Sequence, residues 1–145
     1  VGPGGLGAKR GVMEEMIARH SKMTESEVYN AHKRNLEILM MSNPEKVDDL
    51  SIHIQKQNTD AHRIKSRPIS GTDTLAQILK QQNVPLYVVW GGKDASVGAY
   101  LEDRMAILRS INSEVHFHVE FKLGHWLMYE DEKIFNELFQ KIIQV

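Results

Sequence analysis

Cysteine is absent from this chain of 145 residues. That excludes a disulfide framework and any thiolate metal site, and it fits a reducing, cytoplasmic compartment. An excess of charge of either sign is absent too. Eighteen Lys and Arg stand against 19 Asp and Glu, for a formal net charge of −1. No bulk field is left to hold nucleic acid or an anionic membrane, so neither is expected as a partner. No apolar run approaches the roughly 18–20 residues that span a bilayer. The opening Val1-Gly2-Pro3-Gly4-Gly5-Leu6-Gly7 has neither the charged start nor the apolar core of a signal peptide. It lacks an initiator Met and reads as the last residue of a strand running into a glycine turn, so the chain is expected to be the later part of a longer one. One domain with a modest core is the prior at this length.

The first half contains helix signals and no convincing strand. Thr24-x-x-Glu27 forms a capping box, in which the Thr24 hydroxyl accepts from the Glu27 N–H and the Glu27 side chain reaches back. Val28, Leu36, Leu39 and Met40 then lie along one stripe, with Ala31 beside it. Asn43 and Pro44 stop this helix and start another, as N-cap and first helical residue. Val47, Leu50, Ile54, Ala61 and Ile64 carry the second helix at near-3.6 spacing. It is expected to end before Arg67-Pro68, because a residue preceding proline avoids the α region. Two helices with such narrow apolar faces read as a cover over something else.

The pattern changes at Gly71. Asp73 is placed to cap a short helix through Leu75, Ile78 and Leu79. Leu86-Tyr87-Val88-Val89-Trp90 is a continuous β-prone run, the signature of a strand buried on both faces of a parallel sheet. A helix from about Ala99 to Arg109 follows. Val115 to Phe121 then alternates, with Val115, Phe117, Val119 and Phe121 on one face and His116, His118 and Glu120 on the other. Such a strand is buried on one side only. Asp131 opens a last helix with Ile134, Phe135, Leu138, Phe139 and Ile142 apolar. Helix–strand–helix–strand–helix with long crossovers defines the α/β class with parallel strands.

Ligands in such sheets sit beyond the carboxyl ends of the strands. Asp94 lies four residues past Trp90, and His125 lies four past Phe121. An acid and then a histidine, each just past a strand, is the later part of the chain order Ser…Asp…His. A histidine there takes a proton from a nucleophilic hydroxyl and returns it to the leaving group, while the carboxylate fixes its tautomer. Taken singly, Asp94 also reads as a turn aspartate in Gly-Gly-Lys-Asp, and His125 as a buried histidine satisfied by a carbonyl. Their order and common rim favour catalysis. The nucleophile itself is missing, because no Gly-x-Ser-x-Gly occurs among the nine serines. Ser70 falls in a hinge after Pro68-Ile69, and Ser96 is placed only to orient Asp94.

The stretch from Pro85 to Glu130 resembles the end of an α/β-hydrolase, where Gly-x-x-Asp follows the seventh strand and Gly-His the eighth. Asp94 and His125 match those positions. Gly2-Pro3-Gly4-Gly5 before a helical insertion, with Trp126 directly after the histidine, is similar to the meta-cleavage-product hydrolases. Those enzymes break a carbon–carbon bond in a vinylogous diketone with Ser, His and Asp. The resemblance implies that residues 1–70 are a helical lid and 71–145 the C-terminal part of the hydrolase core. It implies Gly4, Gly5 and Trp126 in the substrate pocket, and either no lid arginine or Arg34 on the substrate. A small organic substrate, with an ester or a carbon–carbon bond to cleave, follows. No cofactor or metal is implied, because nucleophile, base and oxyanion donors are protein groups. The expected partner is the N-terminal half of the same protein, or a second copy covering the open sheet edge.

Competing patterns are weaker. Gly2-x-Gly4-x-x-Gly7 formally fits a dinucleotide fingerprint, but that motif needs a second strand where Thr24 to Met40 reads as helix. His116-x-His118-x-Glu120 could offer three ligands to zinc, against the plainer reading of a solvated or lid-facing side of an edge strand. His20, His32, His53 and His62 fall at polar helical positions and are expected in solvent. Met13, Met16 and Met40-Met41 suit pliable apolar packing. A second class of function remains open, a non-catalytic module whose helices between Thr24 and Ile64 bind a partner on an α/β scaffold.

Overall fold

The computed structural model describes residues 1–144, and its elements follow from local signals (bounds as observed). Helix α1 (Glu25–Leu39) starts at the Thr24 capping box, with both reciprocal bonds made. Asn43 then caps only a single 3-10 turn, Pro44–Lys46. Helix α2 (Asp49–Asp60) has its own N-cap, Asp48, whose carboxylate accepts from the Ser51 N–H while the Ser51 side chain reaches back. The expected long helix from Asn43 is therefore interrupted: Val47 and Asp48 are extended, because the aspartate offers a second cap. α2 also stops before Ala61 and leaves Ile64 exposed. The second helix does end before Arg67-Pro68, but Pro68 marks a start, not a stop: it sits in the first turn of a short helix, α3 (Arg67–Ser70), where its missing N–H costs nothing.

Helix α4 (Thr74–Leu79) follows Asp73, but that carboxylate takes the Gln77 side-chain amide at 2.8 Å and caps no backbone N–H. Strand β1 (Tyr87–Gly91) runs parallel to β2 (His116–Glu120), with Tyr87 opposite His116 and Gly91 opposite Glu120. Between them lie a 3-10 turn, Gly98–Tyr100, and helix α5 (Leu101–Ile111). β2 ends at Glu120, so Phe121, expected on the inner face, is 76 % exposed. A short helix α6 (Leu127–Glu130), unforeseen in the sequence, precedes α7 (Glu132–Ile143). Asp131 caps α7 through the Ile134 N–H.

Among the described residues the architecture is thus mixed α/β, with a two-stranded parallel sheet. Among the described residues no helix is long and apolar enough to cross a membrane.

Two apolar clusters form. One packs Val88, Trp90, Val97, Met105 and Leu108 around β1 and α5, and takes in Leu6 from the opening segment. The other packs Leu36, Met41, Val47 and Ile52 between α1 and α2. Val88, Val89 and Trp90 are all buried, as the continuous apolar run requires.

Candidate active site

Asp94 and His125 meet beyond the carboxyl ends of the two adjacent parallel strands. His125 Nδ1 lies 2.7 Å from Asp94 Oδ2, and Asp94 is only 2 % exposed. Its other oxygen, Oδ1, accepts from the Ser96 hydroxyl at 2.6 Å and the Ser96 N–H at 2.9 Å. Burial alone would push the Asp94 carboxyl up. The hydrogen bond and charge of His125, with the Ser96 donors, outweigh it and hold the carboxyl below its usual range. An ionised aspartate beside Nδ1 favours the tautomer with the proton on Nδ1 and a free lone pair on Nε2. Among the described residues no serine or threonine hydroxyl is hydrogen-bonded to that Nε2.

Backbone crossings place these groups. Gly91 closes β1 where the loop before His125 passes. A Cβ at Gly91 would stand 2.0 Å from the Gly124 carbonyl oxygen and 2.4 Å from that of Leu123. Two hydrogen bonds, Gly92 N–H to Glu120 O and Lys93 N–H to Leu123 O, join the Asp94 loop to the end of β2 and the His125 loop. On the opposite side, Gly2 donates to the Val89 carbonyl at 3.0 Å. Its φ of +50° and the His125 ring, 2.9 Å from where a Cβ would be, leave room only for glycine.

A cavity of about 250 Å³ opens beside His125, between the glycine-rich segment, Ser70, Ser96, Arg104 and the end of α1 at Leu39 and Met40. Gly4 lines it. Gly5 does not, because it is buried with its N–H on the Ser70 carbonyl and its carbonyl on the Ala76 N–H. Trp126, also expected in the pocket, packs instead against the α1–α2 cluster, its ring 6.1 Å from that of Tyr129. Arg34 is turned away, bridging Glu14 at 2.5 Å and Glu37 at 3.0 Å. On β2, His116 stacks on Tyr87, and His118 Nε2 lies 2.5 Å from Glu120 Oε1. Among the described residues no group of three His, Cys, Asp or Glu is placed to hold a metal ion.

His32 corrects the expectation of a solvated histidine. It is 1 % exposed, with Nε2 unpartnered, because its position on α1 faces α2. It borders a cavity of about 610 Å³ with Arg19, Met23, Tyr29, Ile52 and Lys56.

Two participants had no signal in the sequence. Arg104 is 5 % exposed and donates to the Lys9 carbonyl at 2.8 Å. Glu130 is 2 % exposed and accepts from Ser42, Asn43 and Gly124. Their partners are 95 and up to 88 residues away, beyond the reach of local spacing.

No protein-family model and no curated protein matches this chain.

Proposed function

We propose that Asp94 and His125 are the acid and base of a Ser-His-Asp hydrolase of the α/β-hydrolase kind. In this reading the chain supplies the helical lid and the last two strands of the core. The observation that carries it is the 2.7 Å contact between a buried carboxylate and an imidazole at the ends of adjacent parallel strands. His125 Nε2 takes the proton of a serine hydroxyl as that oxygen attacks the substrate, then returns it to the leaving group. Asp94 holds the ring and stabilises the imidazolium, with Ser96 fixing Asp94. The nucleophile comes from another segment, on a Gly-x-Ser-x-Gly elbow, together with oxyanion donors. The substrate is a small organic ester or vinylogous diketone held in the cavity beside Gly4, Leu39 and Met40. That other segment, or a second copy of the chain, adds to the edge of β1 that no strand pairs and covers the apolar face of α7, where Phe139 and Ile143 are exposed.

Turnover of p-nitrophenyl acetate and of a vinylogous diketone tests this. The 145-residue chain alone should not exceed free-imidazole background, since loss of the nucleophile removes nearly the whole triad contribution. The protein containing the serine elbow should turn over one of the two substrates and lose that activity on His125→Ala. His125-dependent turnover by the 145-residue chain by itself would overturn the reading, as would full activity of the His125→Ala protein.

A further inference from the structure

We propose that Glu130 is a positioning residue that locks the end of α1 to the loop carrying His125, so that lid placement and imidazole alignment change together. The inference rests on the acid–base reading of Asp94 and His125.

Glu130 Oε1 accepts the backbone N–H of Ser42 at 2.7 Å and of Asn43 at 2.8 Å. Its Oε2 accepts the N–H of Gly124, the residue before His125. The carboxylate is buried, and among the described residues no Lys, Arg or His nitrogen lies within salt-bridge distance of it. What satisfies it is therefore hydrogen-bond donors alone, drawn from two segments about 80 residues apart.

The same two segments make further contacts. Trp126 N–H donates to the Met40 carbonyl at 2.9 Å. The single Ser42 hydroxyl proton is within reach of both Glu130 Oε1 and the Lys122 carbonyl, each at 2.9 Å. Gly124 has no Cβ to obstruct this meeting; one would stand 2.7 Å from Ser42 N and 2.8 Å from the Met40 carbonyl.

The consequence for chemistry follows from sequence neighbours. Met40 lines the cavity beside His125 and lies two residues before Ser42. Gly124 is bonded through the chain to His125. A buried acceptor that loses one set of donors pays the desolvation of an unsatisfied charge. Displacing the end of α1 thus strips Glu130 of two N–H donors and frees the carboxylate to shift, taking Gly124 with it. Glu130 touches no reacting atom and acts only through the His125 loop.

The test replaces Glu130→Gln in the 145-residue chain, where one acceptor oxygen becomes an NH₂ group facing backbone N–H donors. Amide hydrogen exchange is read at Ser42, Asn43 and Gly124, and the low-field proton NMR resonance of His125 Nδ1–H bonded to Asp94 is followed. Exchange at all three amides should quicken about tenfold or more, and the low-field resonance should move upfield or broaden away. If the Ser42 and Asn43 amides quicken while the resonance stays as in the parent, Glu130 merely anchors the lid and the proposal fails. Unchanged exchange at the three amides also refutes it. Should the Gln variant not fold, Gly124→Ala forces Ser42, the Met40 carbonyl and Glu130 Oε2 away from the His125 loop together, and the same two readouts decide in the same way. Neither readout needs a nucleophile. A parent chain with the low-field proton intact, whose elbow-bearing form turns over neither substrate, counts against the hydrolase and not against the coupling.

Discussion

Replacing Gly91→Ala should misplace His125 although neither residue's chemistry is touched. A methyl at Gly91 would sit 2.0 Å from the Gly124 oxygen, 2.4 Å from the Leu123 oxygen and 2.7 Å from the Gly124 carbonyl carbon. Carbon–oxygen contacts settle at roughly 3.3–3.6 Å, so the loop must retreat by more than an ångström. Its room to move is small, because Ser42 N and the Met40 carbonyl stand only 2.7 and 2.8 Å from where a Gly124 Cβ would be. At an unstrained site, Gly→Ala stabilises by about 0.4–1 kcal/mol through the unfolded chain. Overpacking costs about 1–3 kcal/mol and occasionally more, and an obstacle made of backbone belongs at the upper end. The balance is a loss of about 2 kcal/mol or more, or roughly 6–10 °C in melting temperature for a chain of this length. Circular dichroism melts at one fixed protein concentration measure it, because association shifts the midpoint. The 2.7 Å Asp94–His125 contact should widen with the loop and extinguish the low-field imidazole proton. Gly71→Ala is the control, since its Cβ would meet only the Arg67 carbonyl, at 3.1 Å, and should stay within about 1 kcal/mol of the parent. A Gly91→Ala chain that melts no lower than the control would refute the reasoning.

Acid should loosen the α1–α2 pair through His32. Burial, then the charge of Arg19, lowers its pKa from 6.5. The unfolded chain therefore takes up the proton first as pH falls. The stability that neutral His32 contributes is complete above about pH 6.5 and is lost as pH falls through the lower folded value. His32→Leu should flatten the slope of melting temperature between pH 7 and pH 5, and an unchanged slope would disprove the assignment. Tyr129→Phe removes a hydroxyl that donates to Asp48 at 2.6 Å and should cost about 1–2 kcal/mol, because the acceptor is charged. Burial and that bond push the Tyr129 phenol up to about 12, so the substitution should also delete an ionisation step near that pH from an alkaline absorbance titration. Loss of that step without loss of stability would mean that the Asp48 bond contributes nothing net.

Much of the candidate site was readable because it depends on short-range order. Strand residues alternate or run apolar, loops begin where that pattern stops, and both Asp94 and His125 stand four residues past such a stop. The same locality misled at α2. Asn43-Pro44 reads as a helix start, yet Asp48 with Ser51 offers a second cap, and the helix begins there. Periodicity put His32 on the polar side of α1, but the approach of α2 buries it. Trp126 follows His125 directly in sequence, and the turn into α6 aims its ring at the α1–α2 cluster instead of the cavity.

The amino-acid sequence by itself determined the α/β alternation, the capping box at Thr24 and the pairing of an acid loop with a histidine loop, because each is written within a few residues. Only the tertiary structure decided that Gly91 and Gly124 are the crossing point of those loops, and that Glu130 joins one of them to the end of α1. Hydrogen bonds between segments 87 or 88 residues apart leave no trace in local spacing. They exist only once the parallel register of β1 and β2 has brought both loops to one rim and the second cluster has packed α1 against it.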